Sequence, residues 1–198
     1  MTKLALCASI ALIILLSGCE SATTPVYDLP PAPDPDDGLA LVYDLPDLNA
    51  EIGARAEVDS LAPIFAWKAG SDYVNLLDYR GNVVIIDFWK IACKPCHEFV
   101  GILKPLWNEY KSRGLVVISL CAASHYQGWL DEMTTGDQSW INVADTDDII
   151  PRHYPVFDLY GISGVPSICV IDREGRISHI GIAFQSEKLM RELIEVVI

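Results

Sequence analysis

Basic residues are scarce in this chain of 198 residues, which has 14 lysines and arginines against 27 aspartates and glutamates. The formal net charge is −13 at pH 7. Such an excess of negative charge repels the phosphates of nucleic acids and of anionic lipid head groups. The composition therefore argues against nucleic acid as a partner and against electrostatic docking on a membrane.

An apolar run of about 20 residues, the length that crosses a membrane, is missing as well. The apolar run from Leu4 to Leu16 covers only 13 residues and follows Lys3. A basic start, a short apolar stretch and a small-residue ending are typical of a cleaved secretory signal peptide. We predict a signal peptide at residues 1–18.

The end of this stretch, Leu16-Ser17-Gly18-Cys19, resembles a bacterial lipobox. The resemblance implies cleavage before Cys19 and attachment of lipid to its sulfur, which would anchor the protein in a bilayer. Two or more acyl chains give stable anchoring, since each buried CH₂ contributes about 0.8 kcal/mol. The alternative is an ordinary signal peptide that happens to contain a cysteine.

Residues 19–60 are predicted to form the lipid anchor and an acidic, proline-rich linker. From Glu20 to Ser60 the chain has six prolines, ten acidic residues and one basic residue. A pentapeptide occurs twice there, as Val26–Pro30 and as Val42–Pro46. This composition buries too little apolar surface to fold alone. We interpret the segment as a tether, with a short docking motif as the alternative for the repeat.

The ligand spacing of a zinc site is also missing, because no two further Cys or His residues at matching spacing follow the pair Cys93 and Cys96. This pair lies between a strand-like run, Val83–Trp89, and a segment with helical periodicity, His97–Arg113. Cys93 is therefore expected near a helix N-terminus, where free N–H groups and the helix dipole stabilise a thiolate. Cys96 follows one turn later, which favours reversible disulfide chemistry over zinc binding or a permanent bridge.

Several segments together resemble the thioredoxin fold, and most closely the TlpA-like membrane-anchored thiol–disulfide oxidoreductases: Ala62–Phe65, Leu77–Asn82, Asp87–Cys96, Tyr160–Ser167 and Ile171–Ile177. The resemblance implies an α/β domain at residues 61–198 with a central mixed β-sheet flanked by helices. It also implies an insertion between the active-site helix and strand unit and the strand that follows a cis-proline. The long segment from Cys121 to Tyr160 is where that insertion is expected.

Periodicity and turn residues predict the individual elements of this domain. Strands are expected at Val74–Leu77, Val83–Trp89, Leu115–Leu120, Trp140–Val143, Ser167–Asp172 and Ile177–Ile182. Helices are expected at His97–Arg113, which Gly114 ends, at Gln127–Met133, in part of Ile149–Tyr160 and at Ser186–Val197. In the strand order that the resemblance implies, Cys121 and Cys169 lie on strands to either side of Val83–Trp89, too far apart to form a disulfide.

The resemblance also assigns roles to residues around the cysteines. Asp87 takes the position of a buried carboxylate that accepts the proton of Cys96, and burial in an apolar strand would raise its pKa. Pro166 takes the position of the cis-proline, which would aim the Val165 backbone at an incoming chain. Val165, Pro166 and Trp89 are therefore the expected substrate-binding residues. The alternatives are a surface-facing Asp87 and a trans Pro166.

Three residues in and beside the motif are expected to tune its redox properties. Lys94 places a cation beside Cys93, Pro95 shapes the turn, and His97 lies in the first helical turn next to Cys96. The cycle then requires no metal and no organic cofactor, only the redox-active disulfide Cys93–Cys96.

The predicted function is reduction of disulfides in protein substrates by an envelope-facing thiol–disulfide oxidoreductase. The resemblance implies clients such as apocytochrome c or other secreted proteins, and a membrane thiol relay as electron donor. The lipid on Cys19 would hold the enzyme at a membrane of the bacterial cell envelope, with the catalytic domain in the periplasm or extracytoplasmic space. The main alternative is a non-catalytic module that binds client chains in the same groove.

Two further alternatives use the same cysteines. Cys93-Lys94-Pro95-Cys96-His97 also matches the attachment pattern of c-type haem, although the strand before and the helix after it oppose that interpretation. A peroxiredoxin would have Pro and Thr seven and three residues before its catalytic cysteine. This chain has Ile86 and Lys90 at those positions, so the peroxiredoxin interpretation fails.

Overall fold

The computed structural model describes residues 42–44, 49–50, 53–69, 72–124, 126–135, 140–145, 153–183 and 186–198. The predicted signal peptide, Cys19 and the first copy of the pentapeptide lie outside the described residues. Within the described part of the chain, no helix is both long and apolar enough to cross a membrane.

A five-stranded mixed sheet forms the centre of the fold, in the order β6-β5-β4-β7-β8. Its central strand, β4, runs parallel to β5 and antiparallel to β7. All seven residues of β4 are buried, which explains why this strand is an unbroken apolar run apart from one aspartate. The strands are β4 (Val83–Trp89), β5 (Leu115–Ala122), β6 (Ile141–Asp145), β7 (Ser167–Ile171) and β8 (Ile177–Ile182).

The α-helices that accompany these strands include α1 (Lys94–Tyr110), α2 (Tyr126–Thr135), α3 (Pro155–Leu159) and α4 (Glu187–Val197). The two longest, α1 and α4, cover one face of the sheet in a single apolar cluster that includes Ile85, Phe99 and Met190. Helix α1 continues as a short 3₁₀ turn to Arg113 and ends at Gly114 in the left-handed conformation (φ 95°). Glycine adopts this conformation without a steric penalty, as predicted for the helix end.

The opposite face of the sheet is covered by aromatic side chains. The Phe88 ring on β4 lies 5.1 Å from that of Phe157 on α3, edge to face, and 5.5 Å from that of Tyr160. The Tyr160 hydroxyl donates a hydrogen bond to the Pro63 carbonyl at 2.6 Å. The sheet is therefore enclosed on both faces, as expected for its largely apolar strands.

One predicted strand is partly wrong. Strand β3 covers Asp72–Asn75, and Leu76–Tyr79, which includes the last two residues of the predicted strand, form a 3₁₀ turn. The Asn75 side chain caps this turn by accepting from the Leu77 N–H, and the Asp78 carboxylate accepts from the Asn75 N–H. This reciprocal cap ends the strand where periodicity alone would continue it.

A second, three-stranded sheet has the order β1-β2-β3, and part of the predicted linker belongs to it. Strand β1 (Val42–Asp44), from the second copy of the pentapeptide, pairs antiparallel with β2 (Phe65–Ala69). Asn49 is buried, and its amide bonds both the carbonyl and the N–H of Ile64. Among the described residues, secondary structure thus occurs within the predicted linker, where β1 pairs with β2 through backbone hydrogen bonds.

The segment between β5 and β7 is the long one for which an insertion was expected. It contains α2, β6 and α3, and β6 supplies the edge strand of the large sheet beside β5. The predicted helix Gln127–Met133 lies within α2. Of the stretch Ile149–Tyr160, only Pro155–Leu159 is helical among the described residues.

Candidate active site

The two motif cysteines lie at the start of helix α1, as predicted from the strand before and the helix after them. Cys93 is the N-cap residue: its sulfur accepts from the Cys96 N–H at 3.2 Å. The Cys93 carbonyl accepts from the N–H groups of Cys96 and His97 at 3.0 and 3.2 Å. Pro95 lies in the first turn, where its missing N–H leaves no bond unmade. The Cys96 N–H and the positive end of the helix dipole thus face the Cys93 sulfur.

Cys93 and Cys96 are joined in a disulfide, with their Cα atoms 5.3 Å apart. Cys93 is 9% exposed and Cys96 is 2% exposed. Cys93 is thus the more exposed of the two cysteines.

A small apolar cluster surrounds the disulfide, with contributions from β4, β5, β6 and α2: Trp89, Cys121, Ala123, Trp129 and Ala144 are buried in it, and Ile91, Met133 and Val165 pack against it. Cys121 is a free thiol, and burial raises its pKa to about 12. Cys169 is also free and buried, with its pKa raised by burial. The prediction that these two cysteines do not pair is confirmed.

Asp87 is buried, not surface-facing, with 2% of its surface exposed. Burial raises the pKa of its carboxyl group to about 7, although a hydrogen bond from Ser119 lowers it. The Ser119 hydroxyl donates to Oδ2 of Asp87 at 2.9 Å. Within the described residues, Oδ1 of Asp87 has no hydrogen-bond partner. This carboxyl group therefore changes charge near neutral pH.

The position of Asp87 on its strand relates it to the disulfide. Alternate residues of a strand share one face, so Ile85, Asp87 and Trp89 form one row on β4. Ile85 belongs to the cluster beneath α1, and Trp89 to the cluster around the disulfide. Asp87 thus lies between the helix-covered core and the two sulfurs, on the same face of the sheet.

The expected substrate-binding residues are found at the disulfide, with one difference. The Val165–Pro166 peptide bond is cis, and Val165 packs against the disulfide cluster. Trp89, by contrast, is only 3% exposed. Its indole packs in the apolar cluster around the disulfide. It is buried because the turn that follows the last residue of this central strand covers it. It offers almost no surface to a substrate in this structure.

The residues expected to tune the site differ in their surroundings. The Lys94 side chain is 87% exposed, and its Nζ lies 3.7 Å from a Glu98 oxygen. His97 places Nε2 2.8 Å from the Ile91 carbonyl oxygen, and its ring lies edge-on to that of Trp89, with centroids 5.9 Å apart. This arrangement does not support haem attachment, because the Cys93 and Cys96 sulfurs are bonded to each other and Nε2 of His97 lies against the Ile91 carbonyl.

Sequence reasoning missed three residues of this region: Ser119, Trp129 and Trp140. The Trp140 indole N–H donates to the Ser119 hydroxyl at 2.8 Å, so both residues connect to Asp87. Ser119 had a signal, because it is a lone hydroxyl in an apolar strand-like run that pairs with β4. Trp140 and Trp129 had none. Within the described residues, no group of three or more His, Cys, Asp or Glu side chains is placed to hold a metal ion.

Comparison with known proteins agrees with this site. The model of the AhpC/TSA family matches residues 58–180. Thiol-disulfide oxidoreductase ResA of Bacillus anthracis is 26% identical over 106 residues, which cover 52% of this chain and 57% of that protein. The protein of the same name from Halalkalibacterium halodurans is 25% identical over 126 residues, covering 63% of this chain and 67% of that protein. The chain thus spans little more than half the length of the first of these relatives.

Solved structures resemble the chain over most of its described part. The thioredoxin domain of a thiol-disulfide oxidoreductase from Bacteroides vulgatus has a TM-score of 0.61 at 23% identity, covering 71% of this chain and 98% of that one. A thiol:disulfide interchange protein from Bacteroides sp. has a TM-score of 0.60 at 23% identity, covering 71% and 90%. These likenesses confirm the predicted thioredoxin-like fold, with its central mixed sheet flanked by helices.

Proposed function

The chain belongs to the AhpC/TSA family, and we propose that it is a thiol–disulfide oxidoreductase that reduces disulfides in protein substrates. The observation that carries the proposal is the Cys93–Cys96 disulfide at the start of α1, with Cys93 as helix cap and a buried carboxyl group on the same face of the sheet. The relatives named thiol-disulfide oxidoreductase support this reaction class.

In the proposed reaction, the Cys93 thiolate attacks one sulfur of a substrate disulfide. A Cys93–substrate disulfide forms, the substrate S–S bond breaks, and the second substrate sulfur leaves as a thiolate. Cys96 then loses its proton and attacks the Cys93 sulfur, which releases the remaining substrate thiolate and forms the Cys93–Cys96 disulfide. Two electrons pass from the dithiol to the substrate, and the structure shows the oxidised protein that results.

Asp87 is the proposed acceptor of the Cys96 proton. A general base is most effective when its pKa lies near the working pH, and burial raises that of Asp87 to about 7. Because Asp87 is buried, its carboxyl group has little contact with bulk water, which would otherwise supply or take up the proton. Asp87 therefore acts on the second, resolving step, and the first step depends on the helix N-terminus at Cys93.

The proposed substrate surface lies at Val165 and the exposed first turn of α1. An extended substrate chain would pair with the Val165 backbone, as peptides do at sheet edges. Protein clients such as apocytochrome c or other secreted proteins fit this mode, as does a membrane thiol relay that returns electrons to the disulfide. The acidic composition supports no role for nucleic acid.

The proposed location is the bacterial cell envelope, with the protein anchored to a membrane through lipid on Cys19 and its domain in the periplasm or extracytoplasmic space. The Leu16-Ser17-Gly18-Cys19 sequence supports this proposal. The Cys19→Ala variant should leave the membrane fraction, whereas Cys7→Ala, within the predicted signal peptide, should stay there. Membrane retention of Cys19→Ala would contradict lipid anchoring.

Trapping tests the enzymatic proposal directly. Cys96→Ser should accumulate a covalent mixed disulfide between Cys93 and a protein disulfide, because the resolving thiol is absent. Cys121→Ser is the matched control, since Cys121 is buried beside the site and has no proposed role. It should resolve the mixed disulfide at the wild-type rate. A non-catalytic binding module would give no covalent adduct, and haem attachment would give a haem-stained band instead.

A further inference from the structure

A chain of two hydrogen bonds ends at the carboxyl group of Asp87. The Trp140 indole N–H donates to the Ser119 hydroxyl oxygen at 2.8 Å, and that hydroxyl donates to Oδ2 of Asp87 at 2.9 Å. Ser119 is fully buried, Asp87 is 2% exposed and Trp140 is 9% exposed. Ser119 lies directly opposite Asp87 in the β4–β5 register. Water therefore does not compete for these bonds.

The chemistry of the three groups fixes the direction of the chain. An indole nitrogen only donates, so the Ser119 oxygen must accept from Trp140. The single hydroxyl hydrogen of Ser119 is then free to point at Oδ2. A proton on Oδ2 would be repelled by the Ser119 hydroxyl hydrogen that points at the same oxygen. Oδ1, by contrast, has no hydrogen-bond partner among the described residues. The two oxygens of Asp87 are thus inequivalent.

We propose that Ser119 and Trp140 are positioning residues that hold Oδ2 of Asp87 as an acceptor and so make Oδ1 the oxygen that takes up the proton of Cys96. In that step the Cys96 S–H bond breaks and the Oδ1–H bond forms. The electron pair left on the Cys96 sulfur makes the Cys93–Cys96 bond, while the bond between Cys93 and the substrate sulfur breaks and that sulfur leaves as a thiolate. The inference rests on the proposed function and adds to it the atom that carries the proton and the residues that select it.

Burial is the larger influence on the charge of Asp87, and the Ser119 hydroxyl is the polar side chain that acts against it. On β5, Ser119 and then Cys121 share its face; on β7 the residue opposite is the apolar Ile168. The pKa of Cys121 is itself raised by burial, so this thiol stays neutral. The causes of the Asp87 shift are burial and the Ser119 bond, with no charged side chain among them.

Trp140 acts through Ser119, and a neighbouring tryptophan supplies the matched control. The Trp107 ring of α1 lies edge-on to that of Trp140, with centroids 5.7 Å apart, and takes no part in the chain of hydrogen bonds. Trp140→Phe removes the donating N–H and keeps an aromatic ring against Trp107. Trp107→Phe removes an indole from the same contact and leaves both hydrogen bonds in place.

Two readouts test the proposal. The first is the titration of the Asp87 carboxyl carbon by NMR in the oxidised protein, with Asp87→Asn to assign the signal. The second is the pH profile of the resolving step, measured by stopped flow on a preformed Cys93 mixed disulfide with a small aromatic thiol. The titration requires no turnover, so it distinguishes failure of this inference from failure of the proposed function.

Ser119→Ala should move the titration midpoint up by about one pH unit, because the charged carboxylate loses its donor. The midpoint of the resolving step should move with it, and the rate at pH 7 should fall about fivefold. Trp140→Phe should move both midpoints in the same direction by about 0.3 unit, since it only weakens the polarisation of the hydroxyl. Trp107→Phe should move neither.

An unshifted titration in both Ser119→Ala and Trp140→Phe would overturn the inference. A shifted titration beside an unshifted pH profile would also overturn it, because the proton would then not pass through Asp87. Trp140→Phe leaves the strand residue in place, so it tests the chain independently of how Ser119→Ala folds. A Cys96→Ser variant that forms no mixed disulfide would instead contradict the proposed function.

Discussion

Asp87 and Asp145 are both buried carboxyl groups on strands of the large sheet, yet their oxygens meet different partners. Asp145, at the end of β6, is fully buried and accepts from the N–H groups of Val156 and Phe157 at 3.1 and 2.8 Å through Oδ2, with a further contact of 3.3 Å from Val156 to Oδ1. Asp87 has one hydroxyl donor and one free oxygen. Burial raises the pKa of Asp145 to about 6 and that of Asp87 to about 7.

The difference separates a carboxylate that joins two elements, Asp145, from the proposed proton acceptor, Asp87. Asp145 joins the end of β6 to the start of α3 and satisfies two backbone donors that would otherwise be buried without partners. The single hydrogen bond of Asp87 leaves Oδ1 available for a proton. Burial is common to both carboxyl groups, so the proposed difference in function rests on the number of their donors.

The largest expected effect concerns catalysis. Asp87→Asn should slow the resolving step about 100-fold at pH 7, with a smaller effect on the first attack, because the amide cannot accept the Cys96 proton. Asp145→Ala should change the resolving rate less than about twofold per folded molecule. Stopped-flow measurement of both steps checks this, and equal losses in the two variants would remove the functional distinction between the carboxyl groups.

Stability should change in opposite directions in the same two variants. At pH 8, Asp87→Asn should raise the free energy of unfolding by about 2 kcal/mol, since it removes a buried charge and leaves only an unpaired amide N–H. Asp145→Ala should lower it by about 2 kcal/mol, because two buried backbone N–H groups lose their acceptor. Urea denaturation measures both, and changes of the same sign would contradict the comparison.

The pH dependence of stability should distinguish the two groups by their midpoints. A carboxyl group whose pKa is raised in the folded state binds more protons there than in the unfolded state. Its contribution to the free energy of unfolding is therefore greatest below about pH 4 and is lost as pH rises through the folded pKa. For Asp87 this decline ends near pH 7 and amounts to roughly 4 kcal/mol, the cost of raising its pKa from 3.8 to about 7. In Asp87→Asn the decline should end near pH 6, where Asp145 titrates. Urea denaturation midpoints between pH 4 and 8 measure this decline in the wild type and in Asp87→Asn. The same pH dependence in both proteins would show that Asp87 does not titrate near pH 7.

The smallest effect is expected from a charge outside the buried region. Lys94 is 87% exposed and close to Glu98, so solvent screens its action on Cys93. Lys94→Glu should destabilise the thiolate slightly and lower the reduction potential by less than about 20 mV. Glutathione equilibration measures this shift. A shift well beyond this bound would contradict the screening of the Lys94 charge by solvent.

Prediction from sequence succeeded where the signal lies in neighbouring residues. Val83–Trp89 was predicted with its observed bounds, and the helix after the cysteines was predicted within a few residues of its ends, because periodicity reports burial directly. The disulfide, the free state of Cys121 and Cys169 and the cis bond before Pro166 agree with expectation as well. The strand bound at Leu77 was wrong, since a side-chain cap decided it. The strand Val42–Asp44 within the predicted linker had no local signal, because pairing with a distant strand forms it.

The sequence by itself determined that two thiols stand at a strand-to-helix turn with an acidic residue six positions before the first. Those relations are local, and they follow from chain geometry and the apolar pattern of β4. Only the tertiary structure decided what surrounds the acidic residue. Ser119 lies 32 positions from Asp87 and Trp140 a further 21, and strand pairing brings their hydrogen bonds to one carboxyl group. Because water is excluded there, these hydrogen bonds act strongly on the charge of Asp87. The exclusion of water is a property of the packed sheet.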